Sequence, residues 1–204
     1  MPEIVSPVSV LLLWAVLGYL IGSVPFGVLV TRAMGLGDLR SIGSGNIGAT
    51  NVLRTGNKGA AAATLILDGG KGALAVLLAR AMAAEDAVQL AALAAFLGHC
   101  YPVWLRFRGG KGVATFLGLM LALSWPVGLM CCATWLAAAA LSSISSVGAR
   151  VAALMSTAWM ILLREYELTA LTVALTIVIF WRHRSNIARL RAGTEPRIGK
   201  KKTG

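Results

Sequence analysis

Three long stretches without a charged residue constrain the fold of this chain more than any other feature. They cover residues 4–31, 87–105 and 112–149, which are 28, 19 and 38 residues long. A helix needs about 20 predominantly apolar residues to cross a bilayer, and only helices and closed barrels satisfy their backbone polar groups in lipid. The stretches are rich in leucine and alanine and do not alternate with a period of two, which argues against a barrel. The chain is therefore predicted to be an all-α, polytopic membrane protein.

The composition agrees with this class, since 57% of the 204 residues are hydrophobic and 13% are charged. A soluble domain of this length would need more polar surface. The first apolar stretch is not expected to be a secretory signal, because no basic segment precedes it and further apolar stretches follow. Cys100, Cys131 and Cys132 lack the spacing of a zinc or redox pair and are expected to pack as thiols. One membrane domain is predicted over residues 1–204, with residues 182–204 as its basic cytoplasmic tail.

The net charge of +11 raises the question of nucleic acid binding, but the distribution of the charges argues against it. Basic segments alternate with acidic breaks, as in membrane proteins whose Lys- and Arg-rich loops face the cytoplasm. This pattern predicts a bacterial inner-membrane protein with its N-terminus outside and its C-terminus inside. Lys200–Lys202 are also predicted to touch anionic lipid. The basic segments are residues 32–58, 104–112 and 182–204, and the acidic breaks are residue 3, residues 85–86 and residues 165–167.

The number of spans stays open between five and seven. The predicted orientation requires an even number of spans in residues 113–181. Two spans would each have more residues than a membrane crossing needs. Four spans would be short, because residues 151–163 and 168–181 provide only 13 and 14 positions. Arg150, which follows the serines of residues 142–146, indicates a cytoplasmic turn and favours seven. The first three predicted spans are residues 5–31, 59–82 and 87–103.

The first segment with chemical character runs from Gly43 to Arg54 and combines glycines with hydroxyl and amide side chains. Glycine lets the backbone turn tightly and approach a ligand. Thr50 or Asn51 is predicted to cap a helix that carries Arg54. Exposed amides at a helix start, together with an arginine, form an anion site; a flexible polar loop is the alternative. The candidate binding residues are Gly43, Ser44, Gly45, Asn46, Thr50, Asn51 and Arg54.

The second segment, residues 98–115, contains a glycine-flanked lysine that resembles a phosphate cradle at the start of a span. A nucleotide-binding P-loop is excluded, because position 112 is Gly rather than Ser or Thr. A simple phosphate or phosphate monoester is a better match. A glycine turn with basic membrane anchors is the alternative, and it explains Arg106 and Arg108 better than Lys111. The candidate binding residues are Gly109, Gly110, Lys111 and Gly112.

The third segment runs from Trp181 to Glu195. His183 and Asn186 are three residues apart and share one face if the segment is helical. An amphipathic basic helix on the lipid surface is the alternative. All three segments are predicted on the cytoplasmic side, where together they could hold two phosphate-bearing ligands.

Two opposite charges, Asp68 and Lys71, lie three residues apart inside a predicted span. Charges inside a membrane are costly and usually pair or take part in function. An internal ion pair is the expected role, and support of the site is the alternative. His99, at the end of another span, is expected to be a hydrogen-bonded supporting residue rather than a catalyst.

These three segments resemble the signature cytoplasmic segments of the acyl-phosphate:glycerol-3-phosphate acyltransferase family. The matching residues are 43–54, 99–115 and 183–195, and the resemblance extends over nearly the whole chain. It implies a seven-helix membrane enzyme with its N-terminus outside and its C-terminus inside. The implied reaction transfers a fatty acyl group from acyl phosphate to the 1-hydroxyl of sn-glycerol 3-phosphate. The products are lysophosphatidic acid and phosphate, in phospholipid synthesis.

The resemblance also implies roles for single residues. Ser44, Asn46 and Thr50, with the glycines, would hold the acyl-phosphate head, and Ser44 would act in catalysis. The base stays open between His183 and the departing phosphate. No covalent acyl-enzyme is expected, because Ser44 lacks an adjacent base–carboxylate pair. Neither a cofactor nor a metal is expected, and a soluble acyl-phosphate-producing enzyme is a possible partner. Arg54, Lys111, His183 and Asn186 would bind glycerol 3-phosphate or the reacting centre.

Other functions fit the residues less well. An acyltransferase with a His-x4-Asp dyad is excluded, because Trp104 and Ala188 stand where that motif needs aspartate. A metal-dependent transferase needs several clustered aspartates, and the three in this chain are widely separated. An anion transporter would place its site near the midplane rather than at one face. A non-catalytic membrane anchor would not account for the three polar segments. Acyl-CoA and acyl-carrier-protein donors are excluded by the resemblance and not by composition.

Overall fold

The computed structural model describes residues 1–198, so the predicted lipid contact of Lys200–Lys202 lies outside the described residues. The described chain is helical, which confirms the all-α prediction. The helices are α1 (Val8–Ser23), α2 (Phe26–Ala33), α3 (Ala49–Val52), α4 (Lys58–Met82), α5 (Glu85–Cys100), α6 (Val113–Leu123), α7 (Trp125–Ser142), α8 (Ser145–Leu162), α9 (Thr169–Arg182) and α10 (Arg184–Arg191). Short 3-10 turns occur at Leu39–Ser41, Leu53–Thr55, Val103–Leu105 and Tyr166–Leu168.

Within residues 1–198, five helical stretches are long and apolar enough to cross a membrane. They are Val8–Ala33, which combines α1 and α2, then α4, α5 with the turn to Leu105, α7, and α8. The other two apolar helices are shorter, since α6 has 11 residues and α9 has 14. At 1.5 Å per residue, α6 is about 16 Å long and α9 about 21 Å, against a hydrocarbon core of about 30 Å. Residues 113–182 therefore contain four helices, two of them short.

Pro25 divides the first span into α1 and α2, because proline has no N–H group to continue the helical hydrogen bonds. The carbonyl oxygen of Val24, next to this break, accepts a 2.7 Å hydrogen bond from the Lys71 ammonium of α4. The same ammonium lies 2.7 Å from the Asp68 carboxylate, one helical turn away. This confirms the predicted ion pair and shows that it also satisfies the backbone at the break.

Small residues let α1 and α5 pack closely. Gly18 and Gly22 lie four residues apart on α1, and a Cβ atom on them would lie only 2.9 Å and 2.6 Å from the Cα atoms of Ala91 and Ala95. Such small-residue interfaces are typical of membrane helices. The core beside them is apolar and includes the buried thiols of Cys100 and Cys131, as predicted for packing cysteines. Its fully buried large side chains are those of Phe96, Phe116, Leu119, Met120, Met160, Leu175 and Ile179.

The polar loops gather at one end of the bundle. The loop between α2 and α4 reaches the α7–α8 turn through a 3.3 Å hydrogen bond between the hydroxyls of Thr50 and Ser145. At the opposite end, Asp86 accepts hydrogen bonds of 2.9 Å and 2.8 Å from the backbone N–H groups of Val5 and Ser6. The chain thus separates an end closed by contacts between the N-terminal segment and α5 from an end rich in cations, hydroxyls and amides.

Candidate active site

Asn51 organises the first loop. Its side-chain amide nitrogen donates to the carbonyl oxygens of Leu39 and Ile42 at 3.0 Å and 2.9 Å. Its side-chain oxygen accepts from the Ser44 backbone N–H at 3.0 Å and from Arg54 Nη1 at 3.1 Å. The residue is 2% exposed. Because these partners use its bonding capacity, Asn51 shapes the loop and leaves Ser44 and Arg54 to face solvent.

The predicted tight turn is confirmed at Gly43 and Gly45, which have φ angles of 56° and 67° in the left-handed region. A Cβ atom on Gly43 would also lie 2.6 Å from Cδ of Arg54 and 2.7 Å from Oδ1 of Asn51. Any other residue at Gly43 would therefore push Arg54 out of place. The turn leaves Ser44 exposed between the two glycines, with its hydroxyl 3.3 Å from Asn51 Oδ1.

The predicted helix cap at Thr50 or Asn51 is wrong. Helix α3 begins earlier, at Ala49, and Gly48 occupies the cap position. Asn46 contributes instead to the entry, since its side-chain oxygen accepts a 3.0 Å hydrogen bond from the Gly48 N–H. The amide of Asn51 is already engaged with two carbonyls, and Thr50 points to the α7–α8 turn, so neither side chain is available as a cap.

The predicted phosphate cradle does not use the amides of Gly109 and Gly110. Their N–H groups donate to the carbonyl oxygens of Cys100 and His99 at 3.2 Å and 3.1 Å. Their own carbonyl oxygens accept from the Arg182 guanidinium at 2.9 Å and 3.0 Å. Arg182 therefore clamps this loop, a role that the sequence did not indicate. These two amides are engaged because the loop closes on its own backbone, so the phosphate cradle stays a prediction that rests on Lys111.

Lys111 joins the second segment to the third. Its ammonium donates a hydrogen bond to the side-chain oxygen of Asn186, in the first turn of α10. Gly112, with a φ of 82°, then ends the loop and begins α6. Burial and the charge of Arg189 lower the pKa of Lys111, Glu195 opposes this, and Arg54 and Arg182 add to it, giving a pKa of about 8. Lys111 thus lies near three other positive charges, and an incoming anion would offset their mutual repulsion.

Glu195 is a member of the site that the sequence analysis did not single out. One carboxylate oxygen accepts from Asn186 Nδ2 at 2.5 Å and from Ser146 Oγ at 2.7 Å. The other lies 2.8 Å from Arg189 Nε. Burial alone would raise the pKa of Glu195, but these hydrogen bonds and the Arg189 charge keep it below its usual value. The available signal was its position as the lone acid in the basic segment 182–198.

His183 lies between α9 and α10 and is 2% exposed. Its Nδ1 atom is 2.8 Å from the carbonyl oxygen of Ile179, so Nδ1 carries the proton and Nε2 is left as an acceptor. Burial lowers the pKa of His183 to about 4, more than the Ile179 carbonyl raises it. The imidazole is therefore neutral at pH 7 with Nε2 unprotonated, and the lowered pKa makes it a weaker base than a free imidazole.

The buried pair of Asp68 and Lys71 reaches the floor of the second loop through His99. The His99 Nδ1 atom lies 3.6 Å from the Asp68 carboxylate, which is too long for a hydrogen bond, and it has no partner within residues 1–198. A Cβ atom on Gly110 would overlap the His99 imidazole. These three side chains thus lie beneath the loop that carries Lys111, where they support it and do not face solvent.

The structure brings the three predicted segments together. Thr50 of the first touches Ser145, whose neighbour Ser146 binds Glu195 of the third, and Asn186 of the third binds Lys111 of the second. The result is a polar surface with several cations, exposed hydroxyls and one neutral imidazole. Such an arrangement can bind two anions and stabilise negative charge that develops between them.

Comparison with known proteins gives a consistent picture. A family model described as glycerol-3-phosphate acyltransferase matches residues 12–193. The glycerol-3-phosphate acyltransferase of Ruegeria pomeroyi is 68% identical over 201 residues, covering 98% of this chain and 99% of that protein. The glycerol-3-phosphate acyltransferase of Cereibacter sphaeroides is 65% identical, with 98% and 96% of the two chains covered.

Crystal structures of PlsY (YgiH), an integral membrane glycerol 3-phosphate acyltransferase, share the fold. The glycerol 3-phosphate form has a TM-score of 0.86 and 35% identity, over 93% of this chain and 96% of that chain. The lysophosphatidic acid form has a TM-score of 0.83 and 32% identity, over 93% and 95%. With a family model matched over most of its length and relatives of high identity, the chain belongs to the glycerol-3-phosphate acyltransferase family.

Proposed function

We propose that this enzyme transfers a fatty acyl group from acyl phosphate to the 1-hydroxyl of sn-glycerol 3-phosphate. The observation that carries the proposal is the contact network from Lys111 through Asn186 to Glu195, beside the loop of Ser44 and Arg54. It provides cations for two phosphate groups at one end of the bundle. The solved relatives in glycerol 3-phosphate and lysophosphatidic acid forms support the acceptor and the product.

In this proposal the two anions occupy different parts of the site. Ser44, Asn46 and Thr50, with the turn at Gly43 and Gly45, hold the acyl-phosphate head. Lys111, Arg54 and Asn186 hold glycerol 3-phosphate and its reacting hydroxyl. This assignment uses the exposed position of Ser44 and the hydrogen bond that joins Lys111 to Asn186 of the third segment.

The proposed reaction requires positioning of the two substrates more than activation of the acyl donor. The 1-hydroxyl oxygen attacks the acyl carbon, the bond from that carbon to the phosphate oxygen breaks, and phosphate leaves. The hydroxyl proton passes either to the departing phosphate or to His183 Nε2, which is unprotonated at pH 7. Because an acyl phosphate is already an activated anhydride, orientation and oxyanion stabilisation supply most of the rate.

The acyl chain is proposed to lie in an apolar groove of about 420 Å³ beside the α1–α2 break. The groove runs between Ile21 and Phe26 on one side and Ile66, Gly70 and Leu74 of α4 on the other. Gly27, next to Phe26, lies against the backbone of Ile47 in the first loop. The groove therefore starts beside the loop that holds the proposed acyl-phosphate head.

We also propose that the chain is one domain with seven membrane passes, counting α6 and α9 as short ones. The N-terminus then lies outside and the basic C-terminal segment lies in the cytoplasm of a bacterial inner membrane. The positive-inside distribution of Lys and Arg supports this orientation. It places the candidate site at the cytoplasmic face, where glycerol 3-phosphate is available.

The purified protein in detergent or lipid tests the proposed reaction with palmitoyl phosphate, with and without glycerol 3-phosphate. We expect phosphate release that requires glycerol 3-phosphate and yields lysophosphatidic acid in equal amount. Turnover with palmitoyl-CoA and not with palmitoyl phosphate would keep the acceptor and overturn the donor. Failure with both donors would overturn the proposed reaction.

A further inference from the structure

A second polar recess, of about 340 Å³, lies beside the candidate active site and shares none of its proposed substrate contacts. It is formed by the end of α2, the turn before the first loop and the Val103–Leu105 turn. Its walls carry several guanidinium groups and a single carboxylate. The residues that line it are Val28, Arg32, Asp38, Arg40, Trp104, Leu105, Arg106 and Arg108.

The recess has an excess of positive charge. None of the four arginines forms an ion pair with any residue of the described range 1–198. The carboxylate of Asp38 is directed to the backbone, where it accepts a 2.9 Å hydrogen bond from the Arg40 N–H. Four guanidinium groups against one carboxylate leave the recess with an excess of three positive charges. The guanidinium groups repel each other, and a bound anion relieves this repulsion.

The backbone at the recess is held in an unusual conformation. Arg106 and Phe107 are consecutive non-glycine residues in the left-handed region, with φ angles of 51° and 60°. The turn is fixed by hydrogen bonds from Phe107 N to the Pro102 carbonyl at 3.0 Å and from Arg108 N to the Leu105 carbonyl at 3.1 Å. Non-glycine residues in this conformation cluster at ligand sites. Here the turn places Arg106 and Arg108 on the wall of one recess.

The surroundings identify a membrane lipid as the occupant. Trp104 donates a 2.7 Å hydrogen bond from its indole to Ser23, at the end of α1, while its ring lines the recess. Trp104 is 61% exposed and Val103, in the same turn, is 44% exposed, so apolar surface borders the recess. A tryptophan next to basic residues and apolar surface is typical of the membrane interface. A phosphate in the recess thus has room for acyl chains beside it.

We propose that this recess binds the phosphate head group of an anionic phospholipid, separately from the substrates. Its walls continue directly into both loops of the active site. Arg108 is followed by Gly109, and the Arg40 carbonyl lies 3.1 Å from a Cβ position on Gly45. A bound head group therefore stabilises the loops that position Ser44 and Lys111.

Native mass spectrometry of the detergent-purified full chain with added phosphatidylglycerol or phosphatidylcholine tests the proposal. We expect wild-type protein to retain phosphatidylglycerol preferentially. The double variant Arg32→Gln, Arg106→Gln should bind it roughly 25-fold more weakly, from about a fivefold loss for each arginine. Arg191→Gln, an exposed charge on α10 outside the recess, is the matched control and should bind as wild type. The variant Arg32→Lys, Arg106→Lys keeps the charge and should restore most of the binding.

Equal retention of phosphatidylglycerol by wild type and by the glutamine variant would overturn the proposal. So would full displacement of the lipid by inorganic phosphate at the same concentration, since the recess would then select the free anion. A parallel rise in KM for glycerol 3-phosphate, without a change in the affinity for lipid, would assign the recess to the substrate site instead. The lysine variant controls for folding, because it replaces the same two arginines while keeping their charge.

Discussion

Ser44 and Asn51 differ in how many hydrogen-bond partners the protein already gives them. The Asn51 amide is buried and fully engaged, whereas the Ser44 hydroxyl is exposed with one long contact of 3.3 Å. Asn51 therefore fixes the loop, whereas Ser44 is available to a ligand. The same distinction separates Arg182, bound to two carbonyls, from Lys111, which has a single amide partner.

The change Ser44→Ala is expected to lower kcat without lowering stability. Removing one donor to a developing negative charge typically costs about 10²–10³ in rate. The measurement is lysophosphatidic acid formation at saturating substrates, with the melting temperature determined on the same sample. Ser41→Ala is the matched control, because the Ser41 hydroxyl bonds the Asp38 carbonyl outside the site. Unchanged turnover in folded Ser44→Ala protein would refute the role of this hydroxyl.

The pH dependence of glycerol 3-phosphate use should follow Lys111. With its pKa lowered to about 8, Lys111 is charged below that pH and neutral above it. We expect kcat/KM to fall as the pH rises through about 8. In Glu195→Gln the fall should begin at lower pH, because the carboxylate that raises the pKa of Lys111 is gone. Glu85→Gln, at the opposite end of the bundle, should keep the wild-type profile; a profile unchanged in Glu195→Gln would contradict the model of a shared network.

Residue-level prediction from sequence was strongest where the reason is local. Gly43 and Gly45 could be identified because glycines among polar residues indicate a tight turn. Asp68 and Lys71 could be identified because opposite charges inside a membrane span are expected to pair. Glu195 and Ser146 were not identified, since their contact joins residues 49 positions apart and the lone acid of the third segment did not reveal its partner. The amides of Gly109 and Gly110 looked free in the sequence because the carbonyls that bind them belong to the preceding helix end.

At the scale of elements, the broken first span and α4 act as a unit. The break at Pro25 frees the Val24 carbonyl, Lys71 satisfies it, and Asp68 neutralises Lys71. The same two elements line the apolar groove proposed for the acyl chain. The sequence predicted the ion pair between Asp68 and Lys71. It did not indicate that Lys71 also donates a hydrogen bond to the Val24 carbonyl at the proline break.

Breaking this buried pair is expected to destabilise the protein. Asp68→Asn leaves the Lys71 ammonium without its counter-charge, and loss of one partner of a buried pair costs about 3–5 kcal/mol. The double change Asp68→Asn, Lys71→Met should lose less than the sum of the single changes. Thermal unfolding in one detergent measures all three variants. Additive losses would show that the two side chains do not stabilise each other.

Gly70→Leu should shift the enzyme toward shorter acyl chains. A Cβ atom at Gly70 meets no other atom within 4 Å, so the helix tolerates the substitution while the groove becomes narrower. The measurement is kcat/KM for a series of acyl phosphates of increasing chain length. Leu77→Phe adds bulk to the exposed surface of the same helix outside the groove and serves as control. An unchanged dependence of kcat/KM on chain length in Gly70→Leu would show that the acyl chain does not bind in this groove.

At the scale of the whole molecule, the chain is a bundle whose two ends have different tasks. Hydropathy predicted the membrane class and the first three spans, but it did not decide between five and seven passes. The reason is physical: α6 and α9 have only 11 and 14 residues and fall below the length of an ordinary span.

Cysteine labelling of Ser143 distinguishes the two topologies. With seven passes, the α7–α8 turn lies in the cytoplasm, so Ser143→Cys should react with an impermeant maleimide only after the cells are opened. With five passes, this turn would lie outside and react in intact cells. Glu3→Cys is the positive control for outside labelling and Arg197→Cys for inside labelling. Reaction of Ser143→Cys in intact cells would reject seven passes.

The two short helices are also those that lie next to Lys111 and His183 in the chain. Lys111 precedes α6, and His183 follows α9. Helices of about 16 Å and 21 Å do not reach both faces of a hydrocarbon core of about 30 Å. In the proposed seven-pass topology their outer ends lie at the periplasmic boundary, so their inner ends lie below the level of the lipid head groups. In the proposed reaction the water-soluble substrate then descends into the thickness of the membrane, while the acyl chain never leaves it, and the lipid product is released sideways into the leaflet it joins.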